Sequence, residues 1–201
     1  TNYSITATTQ LMSVPYALYA KKSTSTDGVG TLDQAYDYGA FKGAGRTIIA
    51  DSGAFKITGE DGLLVTGTFG AGTQPEVQGG GTRMFFNPRK ASLRAGNVIS
   101  TQWDSTNVGT YSTAFGKSTI ASGSGSFAAG NNAKANGSGS TAMGNFTLAD
   151  ESSATAFGNY TEANGYASTA MGYISKANGN SAVAMGYVAK ANGDFSTAMN
   201  Y

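Results

Sequence analysis

The stretch STAMGYISKANGNS, residues 168–181, decides the fold, because it is one unit of a repeat that fills the C-terminal half of the chain. When the units are aligned on the Ala-Met-Gly triplet, they follow one another at a constant spacing without an insertion. A fixed period of this kind is typical of stacked structural repeats. The units begin at Ser112, Ser126, Ser140, Ala154, Ser168, Ala182 and Ser196.

Positions counted from the first residue of a unit predict two strands and two turns. The third and tenth positions are always Ala, the fifth is Gly in six units, and Asn-Gly occupies positions 11 and 12 in four units. Asn-Gly favours a tight turn because it tolerates positive φ, and Gly suits the other bend. Two strands of about five residues fit such a short unit, whereas a helix pair does not. We therefore predict an all-β fold, a parallel β-roll with facing Ala rows inside.

The fourth position of the unit is large and apolar and predicts an interface. Because side chains alternate along a strand, an inward third position leaves the second and fourth positions outside. The opposite arrangement would expose an Ala in every coil. An exposed apolar stripe is an aggregation liability, so we expect other copies of the chain to cover it, as a dimer or a trimer. The predicted interface comprises Phe115, Met143, Phe157, Met171, Met185 and Met199 at position four, with Phe127 and Val183 at position two.

The composition excludes many classes of function. The 201 residues include no Cys and no His, which removes thiolate chemistry, the usual transition-metal ligands and the commonest general base. The net charge is +1 and the basic residues are scattered except for the pairs Lys21-Lys22 and Arg89-Lys90, so a nucleic-acid partner is not expected. No apolar run reaches about 18 residues, so this segment is not expected to insert into a membrane.

Acidic residues do not form a recognisable site either. The repeat lacks the recurring Asp of a calcium-binding roll. Asp150 and Glu151 are adjacent, and we expect them to replace the Asn-Gly turn of their unit rather than to act as a catalytic pair. We predict a chain with no enzymatic activity, no metal site and no cofactor.

The unit S-T-A-M-G-x-x-x-x-A-N-G-x-x closely resembles the head repeats of YadA-like trimeric autotransporter adhesins. This resemblance covers about Ser112 to Tyr201 and implies a left-handed parallel β-roll in a homotrimer. It also implies a non-enzymatic adhesive or structural fibre, extracellular and either on a bacterial cell surface or secreted, that attaches to a host surface, a matrix or a glycan. The alternative is a tail fibre or receptor-binding fibre of a phage or contractile injection system.

Two regions precede the roll, which is predicted to span residues 109–201. Residues 1–26 include TNYSITATTQLMSVPYALYAKKS, which resembles a junction common in secreted, fibre-forming surface proteins of Gram-negative bacteria. They are predicted to end an upstream domain and connect it to the rest. Similar proteins often carry a tail-fibre chaperone or peptidase module, which would lie beyond Tyr201. Residues 27–108 are Gly-rich with short apolar alternations at 46–50, 54–58 and 63–66, and predict a β-rich, interwoven shaft or neck.

Within the predicted shaft, residues 82–90 combine aromatic and basic side chains. We expect Met84 and Phe86 to fill the neck and Arg89 and Lys90 to be solvated, rather than to form a ligand patch. Trp103 is expected to pack where the shaft meets the roll.

Residues that follow the fifth-position Gly are candidate ligand contacts on the roll. Alternatively, they stabilise stacked strands by packing on one another. An ice-binding solenoid is a third class, because Thr recurs at the second position, but Phe127 and Val183 interrupt that rank and we expect no thermal hysteresis. The candidate contacts are Tyr160, Tyr173 and Tyr187, together with Phe146, Ile174 and Val188.

Overall fold

The computed structural model describes residues 53, 54, 56, 57, 60, 62–72 and 78–201. The predicted junction at 1–26 and the predicted strand at 46–50 lie outside these residues. From residue 108 onward the chain winds into a parallel β-solenoid, and each turn of the solenoid is one unit of the repeat. The prediction of an all-β fold with a parallel roll is confirmed.

Each complete coil contains one long strand and one short strand. The long strands are β3 (Thr113–Lys117), β5 (Phe127–Asn131), β7 (Thr141–Asn145), β9 (Thr155–Asn159), β11 (Thr169–Tyr173), β13 (Val183–Tyr187) and β15 (Thr197–Asn200). The short strands are β4 (Ile120–Ala121), β6 (Lys134–Ala135), β8 (Leu148–Ala149), β10 (Glu162–Ala163), β12 (Lys176–Ala177) and β14 (Lys190–Ala191). We expected strands of similar length. The second strand is much shorter than the first, because the turn that follows it extends over positions 12 to 14.

The two sets of strands form two parallel sheets with a one-repeat register. In the long-strand sheet Ala170 pairs with Ala184, and in the short-strand sheet Ala163 pairs with Ala177. The third-position and tenth-position Ala residues of the six complete coils are buried, with at most 2% of their surface exposed. Small side chains in both rows let the sheets approach closely, as predicted from the sequence.

The fifth-position Gly lies inside the long strand and not at a bend, which corrects the sequence interpretation. Its φ is between +111° and +128° in all six coils. A Cβ at Gly158 would also collide with the carbonyl oxygen of Gly172 in the next coil. Gly is required here for two reasons, backbone conformation and close approach.

The bends themselves lie at the seventh and fourteenth positions, where the backbone is left-handed. Position seven has positive φ with residues as bulky as Tyr160 (+54°) and Ile174 (+56°). The Asn-Gly pair marks the second turn, but its Gly does not supply the positive φ. Gly165 at position 12 is needed because a Cβ there would collide with the carbonyl oxygen of Gly179.

A hairpin extends the long-strand sheet at its N-terminal end. Strand β1 (Gly81–Asn87) pairs antiparallel with β2 (Ser92–Val98), and β2 pairs in parallel with β3. The sheet therefore extends on the N-terminal side of residue 109, where we expected the roll to begin. One short 3-10 helix, Ser105–Asn107, lies in the connection between β2 and β3.

The strand predicted at 63–66 does not form, and Ala54, Lys56 and Ile57 are also outside any strand. These segments have no partner strand among the described residues, and Leu64 is 84% exposed. Isolated strands are unstable in water because their backbone groups need partners. The interwoven shaft stays a prediction.

The hairpin places an arginine where every coil has an alanine. Arg94 pairs with Ala114 in the register and is fully buried. Its guanidinium donates to the carbonyls of Leu93, Ser112 and Ala121 and to Ser112 Oγ, at 2.7–2.9 Å. Burial lowers the pKa of Arg94 to about 10. Arg94 thus closes the end of the roll interior with hydrogen-bond donors.

The connection after β2 completes this cap. Trp103 is buried at the start of the roll, as predicted, and its Nε1 donates to the carbonyl of Thr119 at 2.9 Å. Its ring packs edge-on against Phe85. Lys90 is not simply solvated as we expected, because its Nζ donates to the carbonyls of Ser105 and Val108. Desolvation, followed by repulsion from Arg94 and Arg89, lowers the pKa of Lys90.

Candidate functional site

The second and fourth positions of the long strands form one outward surface, which we call the outer apolar face. Ala170 is fully buried, so its neighbours Thr169 and Met171 point away from the interior. The register stacks Met171 between Phe157 and Met185. The structure brings all eight residues of the predicted interface onto this face: Phe115, Phe127, Met143, Phe157, Met171, Val183, Met185 and Met199.

The outer apolar face is accessible in the single chain. Phe115 is 38% exposed and Phe157 is 48% exposed, although both side chains are large and apolar. In the second coil the large apolar side chain is Phe127 at the second position, and the fourth position is the small Ala129. The rings of Phe115 and Phe127 meet edge to face at 6.3 Å, so the face stays aromatic across this exchange.

Aromatic side chains also stack at or beside the bend that follows the long strand. Phe146 and Tyr160 have parallel rings 5.0 Å apart, and Tyr173 and Tyr187 have nearly parallel rings 5.3 Å apart. These four residues are exposed. The stacking of equivalent residues one coil apart supports the packing role that the sequence left open, while 40–56% of the surface of these residues stays exposed.

Amide ladders, which were not predicted from the sequence, follow other rows of the roll. Asn131 donates to Asn145, which donates to Asn159, at 2.9 and 3.1 Å. A second ladder joins the eleventh positions, in which Asn178 accepts from Asn164 and donates to Asn192. The signal that could have revealed the ladders was a run of Asn at the spacing of the repeat.

Asp150 belongs to this eleventh-position row. Its Oδ1 accepts from Asn136 Nδ2 at 2.8 Å, and the turn around Asp150-Glu151 has the same form as the Asn-Gly turns. The prediction that this pair replaces an Asn-Gly turn is confirmed. Across the part of the chain that the structure describes, no three His, Cys, Asp or Glu side chains cluster to hold a metal ion.

The remaining charged groups among the described residues have structural partners or lie on the surface. Lys176 and Glu162, equivalent residues one coil apart, form an ion pair of 2.7 Å on the short-strand sheet. Ion pairs at such partly exposed sites contribute little to stability. In the described residues no helix is both long and apolar enough to cross a membrane.

Comparison with known proteins finds one family. The model of the YadA head domain repeat matches six overlapping segments, 108–133, 121–147, 135–161, 149–175, 163–189 and 177–199. No curated protein and no solved structure matches the chain. The matched segments follow one another along the coils of the roll. Residues 108–199 therefore match the YadA head domain repeat along the whole of the roll.

Proposed function

We propose that this chain assembles as a homotrimer and serves as a non-enzymatic adhesive fibre outside the bacterial cell. The outer apolar face carries the proposal, because a soluble rod does not leave rows of Phe and Met uncovered along its whole length. YadA head domains form trimers, which supports three as the number of copies. The family is also one of surface-exposed, adhesin-type fibres that are typically without enzymatic activity.

The attachment role concerns the exposed aromatic residues. Tyr160, Tyr173 and Tyr187 lie at or beside the bend of consecutive coils, each 40–56% exposed. Three copies would present this set three times, and several weak contacts to one surface act together through their high effective concentration. The resemblance of residues 1–23 to a bacterial surface-protein junction supports a cell-surface fibre over a phage tail fibre.

Light scattering tests the assembly. We expect a particle of three chains, each of 20.4 kDa, at micromolar concentration. Met171→Asp should reduce the trimer fraction strongly, because it places a carboxylate inside an apolar interface. Leu148→Asp is the control, since Leu148 lies on the outer side of the short-strand sheet. A wild-type chain that stays monomeric would contradict the proposal.

Attachment is tested separately with the same particles. Fluorescent trimers are applied to animal cells, immobilised matrix proteins and glycan arrays, and the double variant Tyr173→Ser/Tyr187→Ser is compared with the wild type. We expect several-fold weaker attachment of the variant at an unchanged trimer mass. Equal attachment would exclude this aromatic pair from the contact surface.

A further inference from the structure

The β1–β2 hairpin continues the rows of the outer apolar face beyond the repeats. Met84 pairs with Ala95, and Ala95 pairs with Phe115 of the first coil. Residues that face one another in a sheet project to the same side. Met84 and Ala95 therefore prolong the fourth-position row toward the N-terminus.

The second-position row is prolonged in the same way. Phe86 pairs with Leu93, and Leu93 pairs with Thr113. Phe86 and Leu93 thus lie beside Met84 and Ala95 on the outward side of the hairpin. The extended face begins at Met84, well before the first YadA head match, which starts at residue 108.

The strands of the hairpin have their charged side chains on the inner side and large apolar side chains on the outer side, which is the reverse of the usual arrangement. The two arginines of its strands point to the inner side, where Arg94 is buried and Arg83 lies over the Trp103 ring at 5.7 Å and donates to the carbonyl of Gly79. The outward side chains include Met84, which is 73% exposed, and Phe86, which is 41% exposed. An antiparallel sheet that faces water on one side normally places polar residues there.

We propose that the outward side of the hairpin is the N-terminal end of the interface between copies of this chain, with Met84, Phe86 and Leu93 packed against the hairpins of the other copies. The occupant is a second copy because this surface is continuous, row by row, with the outer apolar face. In an assembly whose rotation axis runs parallel to the rolls, equivalent residues of the copies lie at the same height along that axis and meet one another. This inference rests on the trimer proposed above.

The hairpin would also set the axial alignment of the copies. Every coil presents nearly the same face, so a copy displaced by one coil still places apolar rows against apolar rows. A displaced copy would leave its hairpin without the matching hairpins of its partners. The hairpin therefore distinguishes the aligned trimer from its slipped alternatives.

Substitution in the full 201-residue chain tests the inference. Met84→Asp and Phe86→Asp should each raise the concentration at which trimers dissociate by roughly tenfold or more. Leu148→Asp, on the opposite sheet, should leave it unchanged. Both hairpin side chains are exposed in the single chain, so circular dichroism should show a folded roll in every variant.

Cysteine cross-linking provides an independent measurement, because the natural chain has no Cys. Met84→Cys should form covalent dimers between copies under oxidation or with a short bismaleimide, whereas Leu148→Cys should not. This result requires the hairpins to lie at the same height, and it does not depend on how an aspartate variant folds.

The outcomes separate the two proposals. A wild-type trimer that Met171→Asp dissociates, but that Met84→Asp and Phe86→Asp leave intact with no Met84→Cys cross-link, overturns the hairpin inference and keeps the trimer. A wild-type monomer overturns both. Dissociation by the hairpin variants together with the cross-link supports both.

Discussion

The coils and the N-terminal hairpin belong to the same sheet, but the side chains that they turn toward the roll interior differ in chemistry. In a coil, the third position is an Ala whose small size lets two sheets close on each other, and the backbone groups on both sides bond to neighbouring coils. In the hairpin, the same row holds Arg94, whose guanidinium bonds to carbonyls at the end of the roll. Each repeat buries its surface against a neighbouring repeat. The unit at the end of the stack has no neighbour on one side, so it needs a different residue there.

The largest expected effect tests the close stacking of the coils. Gly158→Ala should destabilise the roll by about 4 kcal/mol or more, or prevent folding, because the new Cβ meets the backbone of Gly172 and the φ is +128°. Gly139→Ala is the matched control. Gly139 also has positive φ (+65°), but nothing lies within 4 Å of its Cβ position, so the cost should be about 1 kcal/mol.

Urea unfolding followed by circular dichroism measures both variants. If Gly158→Ala and Gly139→Ala had equal cost, backbone conformation alone would explain the fifth-position Gly. The tight approach of successive coils would then not be the reason for it.

The next effect tests whether the hairpin differs from a coil. Arg94→Ala converts the hairpin row to the residue that every coil has at that position. We expect a loss of about 2–4 kcal/mol, because the roll end gains a cavity and three carbonyls lose a charged donor. Arg94→Lys keeps a charge without the planar fork and should cost less.

The same urea titration decides this comparison. An Arg94→Ala chain as stable as the wild type, or more stable, would mean that the hairpin is an ordinary first coil. Arg94 would then contribute nothing to closing the roll.

The period of the sequence was sufficient to predict the parallel roll and to identify the eight residues of the outer apolar face. It did not show why each Gly is present, because the atom that excludes a Cβ at Gly158 belongs to Gly172 in the next coil. The sequence interpretation therefore identified the recurring glycines correctly but attributed them to local turn preferences, which was the wrong reason. The bends at positions seven and fourteen were missed, since side chains such as Ile174 do not favour positive φ.

The hairpin was missed for a different reason. Ser92 and Gly96 match the first and fifth positions of a unit, but the segment from Gly96 to Gly116 is longer than one repeat, and Arg94 replaces the Ala. A search for a constant period does not find it. The inserted residues supply Trp103, which covers the roll end and explains the longer spacing.

The smallest expected effect compares strain in the two regions. Ile174 at a coil bend (φ +56°) and Ala91 in the hairpin turn (φ +47°) both have left-handed backbones, which Asn adopts more readily than either residue. Ile174→Asn should stabilise the roll by about 0.5–1 kcal/mol, and Ala91→Asn by less, because β-branched side chains are the most strained at positive φ. Asn132 already occupies the seventh position in the second coil, so the substitution fits the bend. Urea midpoints measure the two gains, and a loss of stability in Ile174→Asn would show that packing of Ile174 outweighs its backbone strain.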